Sequence, residues 1–223
     1  NEDYKAGSRA LPIRTPKSES DAASSNPKIS IFGKNSTNLV YGGSGSGGGL
    51  GESVTIYQAL SDAGFDCNPK LRDFYNSRAA GDGRSPNPAI GDDTFGLKTG
   101  ETPLANYTQE VKNSYNDYND AAIVVISRIG GEGFDLPRTM LTGSGGSVLP
   151  GSDAGDHYLE LDNNEEALIK EVGSKFDRVI LVVNCATSME LGFIEDSSFG
   201  IDAAVWIGSP GGAGINALGK ILN

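Results

Sequence analysis

The feature that most constrains the fold is an uninterrupted apolar run at residues 121–126, Ala-Ala-Ile-Val-Val-Ile. A β-branched run that is apolar on both faces predicts a buried central strand of a parallel sheet. The chain leaves this strand into a loop of glycines, Gly130, Gly131 and Gly133, among which Glu132 stands. In open α/β sheets, ligands bind where the chain leaves the carboxyl ends of strands. We therefore predict a functional site at this loop, and a solvated loop glutamate is the other interpretation of Glu132.

Strands and helices alternate along the rest of the chain. The apolar patterns predict strands at residues 28–32, 65–67, 121–127, 179–184 and 203–207. They predict helices at residues 53–63, 70–77, 107–118, 163–175, 189–194 and 213–222. This alternation indicates an α/β sandwich, an open and mostly parallel sheet of about five or six strands flanked by helices. One edge strand of such a sheet can be antiparallel.

Two segments without periodicity, residues 78–104 and 142–156, are predicted to be irregular Gly-rich inserts. Residues 1–27 are polar and are predicted to form an extended lead-in, in which residues 10–13 dock on the domain. The α/β-sandwich domain itself is assigned to residues 28–223. Because the chain begins with Asn1 and not with Met, we expect it to be a fragment of a longer protein.

Composition excludes several classes of function. The formal net charge of −11 argues against nucleic acid and against anionic membrane as partners, since both need basic patches. No apolar run is long enough for a transmembrane helix, and we expect no membrane contact by this domain. The single histidine and two cysteines give no pattern for a His-based metal site, a Ser-His-Asp triad or a disulfide framework. We expect neither a metal nor a cofactor.

Five motifs, in order along the chain, resemble those of one enzyme family. Residues 127–135, Ser-Arg-Ile-Gly-Gly-Glu-Gly-Phe-Asp, resemble the acid/base loop of glycoside hydrolase family 3, the β-glucosidase family. Residues 31–47 resemble the family's first strand and the Gly-rich loop that follows it. Three later segments, at residues 158–161, 182–191 and 204–211, resemble its next elements. The resemblance extends from about Ala10 to Asn223 and is more specific than any one glycine motif.

The resemblance implies the α/β-sandwich domain of a retaining glycosidase that hydrolyses terminal β-linked sugars of a β-glucoside or oligosaccharide. Glu132 is then the general acid/base. Retaining hydrolysis needs a second carboxylate, about 5–5.5 Å from the first. Family members carry that nucleophile, an aspartate, on a separate (β/α)8 barrel, which is absent from this chain. The implied partner is therefore a barrel domain of the same parent chain, before or after this one, and the fragment alone is expected to be inactive.

The resemblance also implies residues around the sugar. Ser44 or Ser46 is expected to hydrogen-bond a sugar hydroxyl, and Lys34 is expected to line the same rim. Phe134 is expected to stack on the sugar beyond the cleaved bond, because an aromatic face suits the apolar face of a pyranose. A flexible loop is the alternative for the serines, and core packing is the alternative for Phe134. For Trp206 we favour core packing or a domain interface over stacking on a ligand.

Two other functions stay open from sequence. Residues 43–48 match Gly-x-Gly-x-x-Gly before a predicted helix, which is typical of a nucleotide-binding, Rossmann-like module. That fingerprint requires a tight turn directly after the strand, whereas about ten residues separate Phe32 from Gly43. A non-catalytic carbohydrate-binding or purely structural module is the third interpretation, although no cluster of aromatic residues favours it.

Overall fold

The computed structural model describes residues 10–13, 26–48 and 53–223. The domain is built on a five-stranded sheet with the strand order β2-β1-β3-β4-β5, and every adjacent pair of strands is parallel. The strands are β1 (Lys28–Phe32), β2 (Asp66–Cys67), β3 (Ala121–Arg128), β4 (Val179–Cys185) and β5 (Ala203–Trp206). The predicted α/β sandwich is therefore confirmed. The antiparallel edge strand allowed for above is not found in the sheet that the described residues form.

Six helices accompany the sheet in the described part of the chain. They are α1 (Ile56–Asp62), α2 (Pro69–Asn76), α3 (Gln109–Asn113), α4 (Asn163–Gly173), α5 (Gly211–Gly214) and α6 (Asn216–Leu222). None of the helices in this part of the chain combines the length and apolar character needed to span a bilayer.

Several helix boundaries differ from the predicted ones, because local capping and turns override the apolar period. The predicted helix 53–63 begins only at Ile56, since the Thr55 side chain accepts the Gln58 N–H and caps it. The predicted helix 107–118 is divided into α3 and a 3₁₀ turn, Ser114–Asp117. Residues 189–194 form no α-helix, and 213–222 is divided into α5 and α6.

The start of α4 is specified strongly by sequence. The Asp162 side chain accepts the Glu165 N–H, and the Glu165 side chain accepts the Asp162 N–H in return. This reciprocal capping box satisfies two backbone donors that a helix start otherwise leaves without partners. Asp162, which directly precedes the predicted helix 163–175, is thus its N-cap.

Core residues cover both faces of the sheet, which explains why β3 is apolar throughout. Alternate residues of β3, including Val124, pack against α2, α3 and α4 on one face. The other residues of β3, including Val125, pack against α1 and α6 on the opposite face. Ile13 of the lead-in joins the second cluster, and its N–H donates to the Leu222 carbonyl at 2.7 Å. Residues 10–13 therefore dock on the domain as predicted; residues 1–9 and 14–25 lie outside the described residues.

The two inserts share a third apolar cluster. It lies beyond the ends of β1 and β3 and contains Val40, Leu97, Ile129, Met140, Leu149 and Tyr158. The inserts are mostly irregular, as predicted, and each contributes a buried leucine, Leu97 or Leu149, to this cluster. Ile129 belongs to this cluster and immediately precedes the Glu132 loop, so the inserts support the site predicted from sequence.

Candidate active site

Two glycine-rich loops meet at the carboxyl edge of the sheet. One follows β1 and the other follows β3, and these strands are parallel neighbours. The Ser44 Oγ donates to the Glu132 carbonyl oxygen at 2.6 Å, so the loops are in direct contact. Both loops therefore lie at the same edge of the sheet.

The contact requires glycine on both sides. A Cβ atom at Gly131 would lie 2.4 Å from the Ser44 backbone nitrogen, and one at Gly43 would lie 2.7 Å from the Gly130 carbonyl oxygen. Such approaches are too short for a side chain, so the glycines allow backbone to meet backbone here. Together these contacts fix the position of the Glu132 backbone.

The Glu132 carboxylate is bound by Ser46. Its Oε2 accepts the Ser46 hydroxyl at 2.9 Å and the Ser46 backbone N–H at 3.2 Å. Both bonds favour the charged form and hold the pKa of Glu132 below its usual value, the hydroxyl contributing most. Glu132 is exposed, so its carboxylate is accessible from outside this domain.

A buried network holds the base of the Glu132 loop. The Arg128 guanidinium makes a bidentate ion pair with Glu165 at 2.7 and 2.6 Å, and both side chains are fully buried. The Arg128 Nε donates to the Tyr158 carbonyl oxygen at 2.6 Å, and the Tyr158 hydroxyl accepts the Ile129 N–H at 3.0 Å. The residues before Glu132 are therefore tied to the capped start of α4.

A buried asparagine connects the other loops of this edge. The Asn184 Oδ1 accepts from the Val40 N–H at 2.7 Å and from the Ser127 hydroxyl at 2.9 Å. Its Nδ2 donates to the carbonyl oxygens of Val40 at 2.9 Å and Gly208 at 2.8 Å. Asn184 at the end of β4 thus ties together the segments after β1 and β5 and the end of β3. Sequence reasoning placed Asn184 in a family-like motif without assigning it this role.

The other predicted residues occupy different environments. Ser44 is nearly buried, and its hydroxyl donates to the Glu132 carbonyl oxygen. The Lys34 ammonium points into the domain, where it donates to the Tyr75 carbonyl oxygen, and burial lowers its pKa. Phe134 is half-buried beside the loop. Trp206 is 48% exposed at the open edge of the sheet, so its predicted core packing is wrong and the domain-interface alternative stays open.

Among the residues that the structure describes, one cluster of metal-type ligands occurs away from this loop. In it, His157 Nε2 lies 3.1 Å from a Glu190 carboxylate oxygen and 4.0 Å from one of Glu160. His157 Nδ1 accepts the Leu159 N–H at 3.3 Å, which leaves the ring proton on Nε2. A protonated Nε2 can donate to Glu190, and no second observation among the described residues points to an ion at this cluster.

The nucleotide-binding alternative gains no geometric support. The 3₁₀ turn Lys34–Thr37 follows β1 directly, so no tight turn leads from the strand into the glycines. The helix α1 begins at Ile56 under the Thr55 cap, whereas Gly43 lies against Gly130 and Gly45 lies against the Glu132 carboxylate. The fingerprint needs these glycines at a helix N-terminus next to the strand, and they are not placed there.

Comparison with known proteins agrees with the fold. Residues 4–223 match the model of the glycosyl hydrolase family 3 C-terminal domain. The chain is 29% identical over 168 residues to β-glucosidase A of Butyrivibrio fibrisolvens, covering 70% of this chain and 19% of that protein. It superimposes on β-glucosidase 3B of Thermotoga neapolitana with a TM-score of 0.64 and 22% identity, over 96% of this chain and 26% of that one. It superimposes on a β-glucosidase of Paenibacillus barengoltzii with a TM-score of 0.63 and 23% identity, over 87% of this chain and 19% of that one.

The fold is thus the α/β sandwich that also occurs in solved β-glucosidases. The chain belongs to glycoside hydrolase family 3, as its C-terminal domain type. It spans only 19% to 26% of the lengths of these relatives, which contain much more than this domain.

Proposed function

We propose that this domain supplies the general acid/base, Glu132, to a retaining β-glycosidase whose nucleophile lies on another domain of the same parent chain. The observation that carries the proposal is the exposed Glu132 carboxylate on a loop whose backbone is fixed by Ser44 and by the glycines around it. Family membership and the β-glucosidase names of the relatives support this assignment. The Thermotoga neapolitana relative was solved with glucose, which supports a terminal β-linked glucose as substrate.

The proposal explains how an exposed glutamate becomes an acid. A general acid must keep its proton near the working pH, whereas Ser46 holds the pKa of Glu132 low in this domain. A barrel docked on the loop would bring a second carboxylate close and exclude water, and both effects raise the pKa of a glutamate. Glu132 can then act as a general acid only when the two domains are assembled.

The chemistry follows from two carboxylates. The nucleophile attacks the anomeric carbon while the Glu132 carboxyl protonates the departing glycosidic oxygen. Water then attacks the anomeric carbon while the Glu132 carboxylate takes its proton, and the bond to the nucleophile breaks, so the sugar leaves with its original anomeric configuration. Ser46 and Phe134 remain the proposed sugar contacts of this domain. Lys34 is left out, since its ammonium is bound to the Tyr75 carbonyl oxygen.

The dependence of rate on leaving group tests the assignment. In the full-length parent, Glu132→Ala should lower the rate on poor leaving groups by roughly 10²–10⁴-fold, because these need protonation. Dinitrophenyl glucosides need none, so their first, glycosylation step should keep near wild-type rates. Stability should change by no more than about 0.5 kcal/mol, since the side chain is exposed.

Glu195, another exposed glutamate in a 3₁₀ turn, provides the matched control, and Glu195→Ala should behave like wild type. The 223-residue chain alone should show no turnover, because the proposed nucleophile lies outside it. Equal losses on good and poor leaving groups would exclude an acid/base role for Glu132.

A further inference from the structure

An exposed isoleucine lies beside the Glu132 carboxylate. Ile90 is 60% exposed, an unusual state for a large apolar side chain. A Cβ atom at Gly45 would lie 3.1 Å from the Ile90 Cδ1 and 2.6 Å from the Glu132 Oε2, so these two atoms approach the same point. A Cβ atom at Gly133 would lie 2.6 Å from the Ile90 Cγ2. Ile90 therefore covers one side of the loop next to the carboxylate.

The turn that carries Ile90 is closed on itself and attached to the loop. The Ala89 N–H donates to the Asp92 carboxylate at 2.8 Å, and the Asp92 N–H donates to the Ala89 carbonyl oxygen at 3.1 Å. The Gly91 N–H donates to the Gly133 carbonyl oxygen at 3.1 Å. This turn belongs to the irregular insert of residues 78–104, so the insert places an apolar side chain at the site.

The position of Ile90 has a chemical consequence. A general acid must hydrogen-bond the glycosidic oxygen, so the first atoms of the leaving group lie next to its carboxyl. Ile90, which approaches the same point as the Glu132 Oε2, is therefore within reach of those atoms. The isoleucine side chain cannot hydrogen-bond a sugar hydroxyl. Its contact with an alkyl or aryl group would remove apolar surface from water and so favour binding of that group.

We propose that Ile90 is a specificity-determining residue that contacts the leaving group and favours glycosides with an apolar aglycone. The proposal rests on the proposed function of Glu132. It assigns to the insert a role in substrate choice, and alkyl or aryl β-glucosides become the preferred substrate class. The insert gave no sequence signal of this role, since its composition predicts only an irregular segment.

Ile221 provides a matched control at the opposite edge of the sheet. It is 53% exposed and lies on α6. The neighbouring Leu222 carbonyl accepts from Ile13, and the Ile13 carbonyl accepts from Arg178, which directly precedes β4. The end of α6 is therefore at the amino-terminal edge of the sheet, while Ile90 is at the carboxyl edge.

The test compares hexyl and methyl β-glucoside in the full-length parent, because these leaving groups differ in apolar surface and hardly in acidity. Ile90→Ala should lower the ratio of kcat/KM for hexyl over methyl glucoside by about fivefold, through loss of apolar contact. Ile90→Ser should lower it at least as much, whereas Ile221→Ala should leave it unchanged.

Three results would count against the proposal. An unchanged ratio in both Ile90 variants, or an equal change in Ile221→Ala, would overturn the assignment of Ile90 alone, since hydrolysis itself still occurs. A wild-type parent that hydrolyses neither glucoside would overturn the proposed function, and the role of Ile90 with it. Circular dichroism of Ile90→Ala should match wild type, because the removed side chain is exposed.

Discussion

The carboxylate of Glu132 is held in its charged form by Ser46, whose hydroxyl and backbone N–H both donate to one carboxylate oxygen. The folded pKa of Glu132 is therefore lowered. A lowered carboxyl pKa contributes stability above the unfolded value of about 4.3, and this is lost as pH falls through the lower folded value. Ser46 thus favours the base form of Glu132, and the acid form depends on what the partner domain adds.

Removal of the Ser46 hydroxyl should raise the pKa of Glu132. In Ser46→Ala the hydroxyl bond is lost and the backbone bond stays, so the pKa should rise toward that of a free glutamate without reaching it. Ser46→Thr keeps a hydroxyl and should retain most of the lowering. The measurement is an NMR titration of the Glu132 side-chain carboxyl in the 223-residue chain, which requires no activity. Identical pKa values in wild type and Ser46→Ala would show that Ser46 does not bind the carboxylate in solution.

At the scale of elements, the loops of the carboxyl edge depend on buried polar residues as much as on strand ends. Asn184 makes four hydrogen bonds to the segments around β1, β3 and β5, and its side chain is fully buried. Arg128 ties the base of the Glu132 loop to α4 in a similar way. Buried polar networks of this kind specify one arrangement of loops, because any other leaves a donor or acceptor without a partner.

Truncation of Asn184 should be costly for this reason. Asn184→Ala removes the partner of the buried Val40 backbone groups and of the partly buried Gly208 carbonyl, and we expect a loss of about 3 kcal/mol in the free energy of unfolding. Asn163→Ala, an exposed asparagine at the start of α4, should cost no more than about 0.5 kcal/mol. Urea unfolding of the wild type and the two variants measures both losses in the free energy of unfolding. If Asn184→Ala loses no more free energy of unfolding than Asn163→Ala, the hydrogen bonds of Asn184 do not hold the loops at the carboxyl edge of the sheet.

For the whole molecule, sequence predicts the sheet well and the site only partly. The bounds of β1 were predicted in full, and those of β3 and β4 to within one residue, because buried parallel strands are continuous apolar runs. The position of Glu132 at a strand end follows from the same argument.

The Glu132–Ser46 hydrogen bond and the position of Ile90 against Gly45 and Gly133 both join distant segments, and no local pattern encodes them. The exposure of Trp206 was missed because β5 has the composition of a buried strand but lies at the edge of the sheet. The inward direction of Lys34 depends on a carbonyl of α2, which the sequence around Lys34 does not reveal.

The central claim, that Glu132 is the acid/base of a retaining glycosidase, is tested most directly by azide rescue of Glu132→Ala in the full-length parent. Without its base the variant should accumulate the glycosyl-enzyme, because the second step needs a deprotonated water. Azide needs no deprotonation, so it should restore turnover on dinitrophenyl glucoside and give a β-glycosyl azide, identified by its anomeric NMR coupling. No rescue by azide, or an α-glycosyl azide as the product, would contradict the account.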